Sequence, residues 1–170
     1  MARRLEELSP AEFEREVHRV LSLDGCHLKY FVVKHLDKIR GVDGEYTFDV
    51  TATFEVLGGD ILVVIECKHQ KDPVKREVLQ VLHDKMLAVG AHKGMVFSTA
   101  GFQSGASAYA EVHRIALVRM TDSGKVYVRK GLGIPSTAIP ESWIAVPGGD
   151  TYRTLDGEGR ALLTSHLFGA

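Results

Sequence analysis

The chain has too few cysteines and too little net charge for several common classes of protein. Its 170 residues include two cysteines, Cys26 and Cys67, and no CxxC pair, so we expect neither a disulfide framework nor a cysteine-rich zinc site. We expect both thiols to be reduced and buried, which suits a cytoplasmic protein. The net charge is −1, so the overall charge gives no support for binding to nucleic acid.

Long apolar runs and metal-binding histidine patterns are also missing. No run approaches the roughly 18 apolar residues that cross a membrane, and the basic start Met1–Arg4 is not followed by the apolar region of a signal peptide. The eight histidines form no H-x-x-x-H or H-E-x-x-H pattern, which argues against zinc. The segment Gly131–Gly133 does not complete a G-x-G-x-x-G pattern. We therefore expect no membrane association and no small-molecule cofactor.

A glutamate and a lysine follow the most apolar segment of the chain. Glu66 and Lys68 come directly after Ile61–Ile65, a run that is typical of a buried strand. Residues two apart in a strand point to the same face, so these two side chains emerge side by side. Asp49 lies earlier, in the alternating segment Tyr46–Phe54, and a hairpin between the two segments brings it beside Glu66 and Lys68.

These residue types suit the hydrolysis of a phosphodiester. A hard ion such as Mg²⁺ binds carboxylate oxygens and keeps places for water and phosphate, so Asp49, Glu66 and the carbonyl of Cys67 are candidate ligands. Lys68 would hold or activate the attacking water and offset charge in the transition state. The E-x-K pattern alone is common and usually represents two solvated charges at a strand end. The metal-site hypothesis depends on the preceding strand and on Asp49.

Local signals along the chain predict the element order α-β-β-β-α-β-α-β. Ser9 is a natural N-cap, Pro10 suits the first helical position and Glu12 completes a capping box, so a helix begins here and ends near Gly25. Further predicted elements are a strand over 26–34, a polar turn region over 34–44, strands over 46–56 and 61–68 joined as a hairpin, a strand over 94–98, a helix over 104–114 and a strand over 115–120.

A second long helix has its own start and stop signals. Asp72 is a candidate cap, Pro73 suits the first helical position, and Gly90 ends a helix that runs to Val89. Its predicted apolar face consists of Val74, Val78, Val81, Leu82, Met86 and Val89.

The order of elements predicts an α/β fold with a mixed central sheet. Strand–helix–strand connections of this length favour parallel pairing, whereas the hairpin is antiparallel. The long separation of Asp49 and Glu66 predicts an extended hairpin loop. We expect residues 1–122 to form the core domain and residues 123–170 to form an extension packed on it. Within the extension we predict a strand over 125–129, an irregular segment over 131–159 and a short helix over 160–168.

Several segments in this order resemble the Mrr-type restriction endonuclease catalytic domain, a branch of the PD-(D/E)xK nucleases. The matching pieces are Ser9–Glu14, the Gly-Val-Asp-Gly and Phe-Asp-Val segments around Asp49, Val64–Lys68, the helix that carries Gln80, and Gly94–Phe102 before an alanine-rich helix. No single motif is strong, but together they cover about two-thirds of the chain. The resemblance implies a restriction-endonuclease-like three-layer core, with helices on both faces of the mixed sheet.

The resemblance also assigns roles to residues. It implies that Asp49 and Glu66 bind Mg²⁺, for which Mn²⁺ would substitute, and that Lys68 acts on the water. Glu14 matches a first-helix glutamate near the metal, and Gln80 matches a helix glutamine that supports the site. The alternative for Glu14 is a surface charge on an amphipathic helix. The alternative for Gln80 is a hydrogen bond at the boundary of the apolar face.

Asp43 competes with Asp49 for the role of metal ligand. The segment Gly41–Gly44 also resembles the glycine-rich run that precedes the metal aspartate of the family. We favour Asp49 because it lies within a predicted strand, whereas Asp43 lies in a predicted turn.

These inferences predict a Mg²⁺-dependent DNA endonuclease that defends its host against foreign or modified DNA. One alternative is a structure-selective nuclease for repair or for resolving DNA junctions. The other is a non-catalytic nuclease-fold module that binds nucleic acid. A homodimer is expected, because a duplex offers two scissile bonds to a symmetric enzyme.

Overall fold

A six-stranded mixed sheet carries the helices that position the candidate site. The computed structural model describes residues 4–130 and the backbone of Arg153–Leu155 and Ala161–Leu163. In chain order the first elements are a short 3-10 helix at Leu5–Glu7, α1 at Pro10–Asp24, β1 at Lys29–Arg40, β2 at Glu45–Val56, β3 at Gly59–Lys68, α2 at Arg76–Val89, β4 at Lys93–Ser98, α3 at Ser104–Val112, β5 at Ala116–Thr121 and β6 at Gly124–Arg129. The predicted capping box of α1 is present at Ser9 and Glu12.

The strands lie in the sheet in the order in which they occur in the chain. Strands β3, β4 and β5 pair in parallel, whereas β1–β2, β2–β3 and β5–β6 pair antiparallel. The predicted α/β fold class, with an antiparallel front and a parallel back, is therefore confirmed.

Each face of the sheet is covered by helices. Phe13 and Val17 of α1 pack on one face with Val50 and Ile65. On the other face, α2 and α3 enclose a second core whose members include Phe48, Val64, Leu79, Leu82, Met86, Val96, Ala106 and Ala110. The two cores place the sheet between helical layers, as the resemblance implied.

Strand β1 is longer than predicted and runs through most of the expected turn region. It continues to Arg40 and pairs with β2 along its length, so the predicted end at Lys34 is wrong. Half-buried and exposed residues alternate along β1. An edge strand tolerates lysine and arginine at its exposed positions, and these charges gave the segment the composition of a loop.

The hairpin between β2 and β3 closes through a tight turn, so the predicted extended loop is wrong. Val56 pairs with Gly59, which leaves Leu57 and Gly58 as the connection. Both turn residues have a positive φ, of 51° and 79°, as a two-residue hairpin turn of this hand requires. Long strands, rather than a loop, account for the spacing between Asp49 and Glu66.

Helix α2 begins later than the Asp72–Pro73 signal predicted. Its N-cap is Lys75, and Val74 instead forms a bridge with Phe102 through backbone hydrogen bonds. This pairing between two loops overrides the local start signal. The apolar face also differs, because Val81 is exposed and Leu79 is fully buried.

The predictions for residues 123–170 were a strand over 125–129, an extension packed on the core and a helix over 160–168, and their outcomes differ. Strand β6, predicted over 125–129, pairs with β5 in the main sheet, within a compact unit that spans Met1–Ser136. That residues 123–170 form an extension packed on the core stays a prediction. The second unit spans Thr137–Ala170, and in it Arg153–Leu155 (β7) pairs antiparallel with Ala161–Leu163 (β8), so the helix predicted over 160–168 is wrong there.

The two cysteines have different environments. Cys67 is buried as predicted, whereas Cys26 is exposed, which corrects the expectation for that thiol. Cys26 follows Gly25, the C-cap of α1, and lies in the connection between α1 and β1, outside both elements that build the core. None of the described helices is long and apolar enough to cross a membrane. Most of the segment over 131–159 lies outside the described residues.

Candidate active site

Asp49 lies where β2 crosses from one core to the other. Residues two apart in a strand normally share a face, but Phe48 belongs to the core under α2 and α3, whereas Val50 belongs to the core under α1. The β2–β3 ladder ends at Val50 and Ile65, one residue later in β2 than Asp49. Beyond the end of the ladder, the backbone amide of Cys67 donates to Asp49 Oδ2 at 2.6 Å. The carboxylate of Asp49 thus takes the place of a backbone acceptor where the two strands separate.

Glu66 and Lys68 project from the carboxyl end of β3, as the alternation predicted. Lys68 Nζ donates to Glu66 Oε1 at 2.7 Å. Burial acts to lower the pKa of Lys68, but the hydrogen bond to Glu66 and the charges of Glu66 and Asp49 outweigh it, so the pKa is raised. Lys68 is therefore a cation at neutral pH.

Asp49 holds its proton more tightly than an ordinary aspartate. Burial, and after it the negative charge of Glu66, raise the pKa of Asp49 from 3.8 to about 6. The hydrogen bond from the Cys67 amide and the charge of Lys68 act in the opposite direction without cancelling the rise. Negative charge is thus concentrated in a place where water solvates it poorly.

Cys67 contributes its backbone rather than its thiol. The side chain points into the core under α1, away from Glu66 and Lys68. Burial, followed by the nearby charge of Asp49, raises the pKa of the Cys67 thiol well above its ordinary value, so the thiol stays protonated. Of the atoms of Cys67, the carbonyl oxygen is the one suited to a hard cation.

Glu14 lies near the site but already has a partner. Its negative charge contributes to the raised pKa of Asp49, which places it within electrostatic range. Its Oε2 lies 2.9 Å from Nε2 of His35 on β1, and both side chains are largely buried. His35 was missed in the sequence, because nothing in its local pattern distinguishes it from the other histidines.

Gln80 and Lys85 occupy opposite flanks of α2. Gln80 is exposed, and at 3.6 residues per turn it lies about 140° around the helix axis from Lys85. Lys85 Nζ approaches Glu66 Oε2 at 3.9 Å. Lys85 is therefore an α2 residue that approaches the carboxylates, and the supporting role of Gln80 stays a prediction. The sequence did contain a signal for Lys85, because it adjoins Met86 and lies three residues after Leu82. Both residues belong to the predicted apolar face of α2, and both are buried.

Asp43, the competitor of Asp49, lies in the turn between β1 and β2. Its Oδ1 accepts a hydrogen bond from the hydroxyl of Tyr46 at 2.8 Å, in an exposed position. The structure places Asp49, and not Asp43, beside the Cys67 amide and within range of the charge of Glu66.

The donor set fits a hard divalent cation that keeps much of its own water. Among the described residues, no group of three or more histidine, cysteine, aspartate or glutamate side chains is arranged to hold a metal. Two carboxylates within electrostatic range of each other, Asp49 and Glu66, are the candidate ligands, together with the carbonyl of Cys67. Mg²⁺ is typically bound in this way, through one or two carboxylates, water and the phosphates of a substrate.

Comparisons with known proteins identify a family and a similar fold. A model of the Mrr catalytic family, described as restriction endonuclease, matches residues 5–122. The crystal structure of a protein of unknown function, AF1548, is similar with a TM-score of 0.53 and 25% sequence identity. The similarity covers 64% of this chain and 57% of that protein, so the chain spans less than two thirds of its length. No curated protein matches the chain.

Proposed function

The chain belongs to the restriction endonuclease family, and from that premise we propose that it hydrolyses phosphodiester bonds in DNA with the help of a bound Mg²⁺ ion. The observation that carries the proposal is the pair Asp49 and Glu66, because burial, and after it repulsion by Glu66, raise the pKa of Asp49 to about 6. A divalent cation between them would relieve this repulsion. A domain that bound no metal would have no need to cluster two poorly solvated carboxylates.

We propose that Asp49, Glu66 and the Cys67 carbonyl hold the ion, with Mn²⁺ as a substitute. When bound, the ion would supply Lewis acidity toward the phosphate and lower the pKa of a bound water. Lys68 is a cation, so its role is to donate to the attacking water and to offset the charge that develops on the phosphate. Glu14 is proposed as a further group near the ion, and Gln80 as a residue that supports the site from α2.

The biological setting proposed is defence against foreign or modified DNA. Because each strand of a duplex offers one scissile bond, we also propose that the active species is a homodimer. Light scattering on the purified protein measures its mass in solution. The dimer proposal predicts twice the mass of the 170-residue chain, and the mass of one chain would contradict it.

The nuclease proposal is tested by incubating the protein with supercoiled plasmid, methylated and unmethylated, in Mg²⁺, Mn²⁺ or EDTA. The expected result is nicking or linearisation with either metal and none in EDTA. A Glu66→Gln variant is expected to lose cleavage, because it removes a ligand charge while keeping the size of the side chain. Inertness of the wild-type protein on both plasmids and on branched DNA would overturn the proposal.

A further inference from the structure

Two lysines from different elements face the two carboxylate oxygens of Glu66. Lys68 Nζ is hydrogen-bonded to Oε1 at 2.7 Å, and Lys85 Nζ lies 3.9 Å from Oε2. A separation of 3.9 Å exceeds the range of a hydrogen bond. Lys85 is therefore attracted to Glu66 without being fixed to it, whereas Lys68 is fixed.

Lys85 lies on a part of α2 that is anchored in the core. Leu82 and Met86 anchor this part of α2 in the core, and the ammonium group lies 5.8 Å from the ring centroid of the buried Phe48. The side chain of Lys85 is 26% exposed, against 60% for Lys29, which pairs with Glu55 next to the β2–β3 turn. A lysine sheltered to this degree has its charge directed at the site rather than into bulk water.

We infer that Lys85 binds a phosphate of the DNA strand that is cut, which makes it a substrate-binding residue on α2. This inference rests on the proposed function. An incoming phosphate carries the same sign of charge as Glu66 and competes with it for a cation. Of the two lysines, Lys85 is the one without a hydrogen bond to Glu66, so it can turn to the phosphate while Lys68 stays in place.

The alternative is that Lys85 serves only as a counter-ion that stabilises Glu66 in the folded protein. The two roles differ in their effect on DNA binding. Each phosphate contact made by a cation contributes about 0.9 to the slope of log affinity against log salt concentration, whereas an internal ion pair contributes nothing to it.

The test measures the affinity of the full chain for a short fluorescent DNA duplex, by anisotropy in EDTA over a series of salt concentrations. The variants are Lys85→Gln, Lys85→Arg and the matched control Lys29→Gln, which removes the same charge far from the site. Circular dichroism melting of each variant reports its folding. We expect Lys85→Gln to lose about 0.9 from the salt slope and about tenfold in affinity at low salt. Lys85→Arg and Lys29→Gln should keep the wild-type slope.

Three outcomes would overturn the inference. The first is an unchanged slope in Lys85→Gln, and the second is a loss of equal size in Lys29→Gln. The third is a salt slope that falls by about 0.9 in Lys85→Arg, although this variant keeps the charge. This third comparison needs only the wild type and Lys85→Arg, so it can be made even if Lys85→Gln does not fold. If the wild-type protein binds no DNA and cuts none, the proposed function fails and this inference fails with it. Cleavage by the wild type with an unchanged slope in Lys85→Gln overturns this inference alone.

Discussion

At the scale of single residues, the site holds more negative charge than its surroundings neutralise. Asp49 and Glu66 repel each other, and Glu14 adds a further negative charge within range. Lys68 forms a hydrogen bond with Glu66 and not with Asp49. Asp49 is instead bonded by a neutral backbone amide, so its ionisation destabilises the metal-free protein.

The raised pKa of Asp49 predicts how stability changes with pH. The folded protein binds a proton at Asp49 with a pKa of about 6, whereas the unfolded chain binds it at the ordinary 3.8. The contribution of Asp49 to stability therefore falls as pH rises from about 4 through about 6, and above that range the cost of the ionised carboxylate is fully present. Asp49→Asn removes this cost and keeps an acceptor for the Cys67 amide.

We expect Asp49→Asn in EDTA to be about 2 kcal/mol more stable than the wild type at pH 7.5, with the difference vanishing near pH 4. Urea unfolding at the two pH values measures it. Asp43→Asn, which removes a carboxylate from the exposed turn, is the control for the loss of one negative charge. A difference between Asp49→Asn and wild type that is equal at both pH values would contradict the assigned environment of Asp49.

At the scale of elements, the turn between β1 and β2 fixes the position of α2. The amide of Val42 donates to the carbonyl of Ala88 at 2.9 Å. A Cβ atom at Gly41 would lie 2.8 Å from the same carbonyl oxygen. The close approach of the two backbones therefore requires glycine at this position.

Gly41→Ala is expected to destabilise the protein by about 1–3 kcal/mol, because the methyl group forces α2 away from the turn. Chemical denaturation compares it with Gly44→Ala, a control in the same turn whose added Cβ would meet nothing within 4 Å. Equal stability of the two variants would show that α2 does not pack on Gly41 as described.

The β2–β3 turn contains a residue that is poorly suited to its backbone. Leu57 has a φ of 51° and an exposed side chain, so it gains little from packing. Asparagine tolerates this conformation, and Asn-Gly is the preferred sequence for such a turn. We expect Leu57→Asn to raise the free energy of unfolding by about 0.5–1 kcal/mol. The control is Leu57→Ala, which also removes the leucine side chain, but alanine does not tolerate a positive φ as asparagine does. We expect no increase in the free energy of unfolding for Leu57→Ala. An increase as large as that of Leu57→Asn would contradict the explanation.

Strands β3 and β2 show where alternation in the sequence predicts the direction of side chains and where it does not. Alternation predicted the faces of Glu66, Cys67 and Lys68, because each of these residues lies in one regular strand. It failed between Phe48 and Val50, where β2 crosses from one core to the other. The crossing lies where β2 still pairs with β1 but its ladder with β3 ends, so no local pattern in the sequence contains it.

The same distinction holds for α2. Its end at Gly90 was predictable because a positive φ of 68° favours glycine there. Its start was not predictable, because the pairing of Val74 with Phe102 joins segments far apart in the chain. The resemblance to a family supplied Gln80 by its position in a motif, whereas no motif singled out Lys85, which approaches Glu66 in the structure.

At the scale of the whole molecule, a ligand that binds only the folded site stabilises the entire unit. If Asp49 and Glu66 hold a divalent ion, the free energy of unfolding should rise with metal concentration, by about 2.7 kcal/mol at one hundred times the dissociation constant. Thermal unfolding in Mn²⁺ measures the effect, and Asp49→Asn should abolish it. Equal stabilisation of the wild type and Asp49→Asn would place the ion elsewhere.

If Asp49, Glu66 and Lys68 form one nuclease site, as proposed, then Lys68→Ala should lose the ability to cleave supercoiled plasmid. The control is Lys71→Ala, which removes an exposed lysine from the loop after β3. We predict that the wild type and Lys71→Ala nick or linearise the plasmid in Mg²⁺, and that Lys68→Ala is slower by at least about a hundredfold while remaining folded. Cleavage by Lys68→Ala at the wild-type rate would contradict the account.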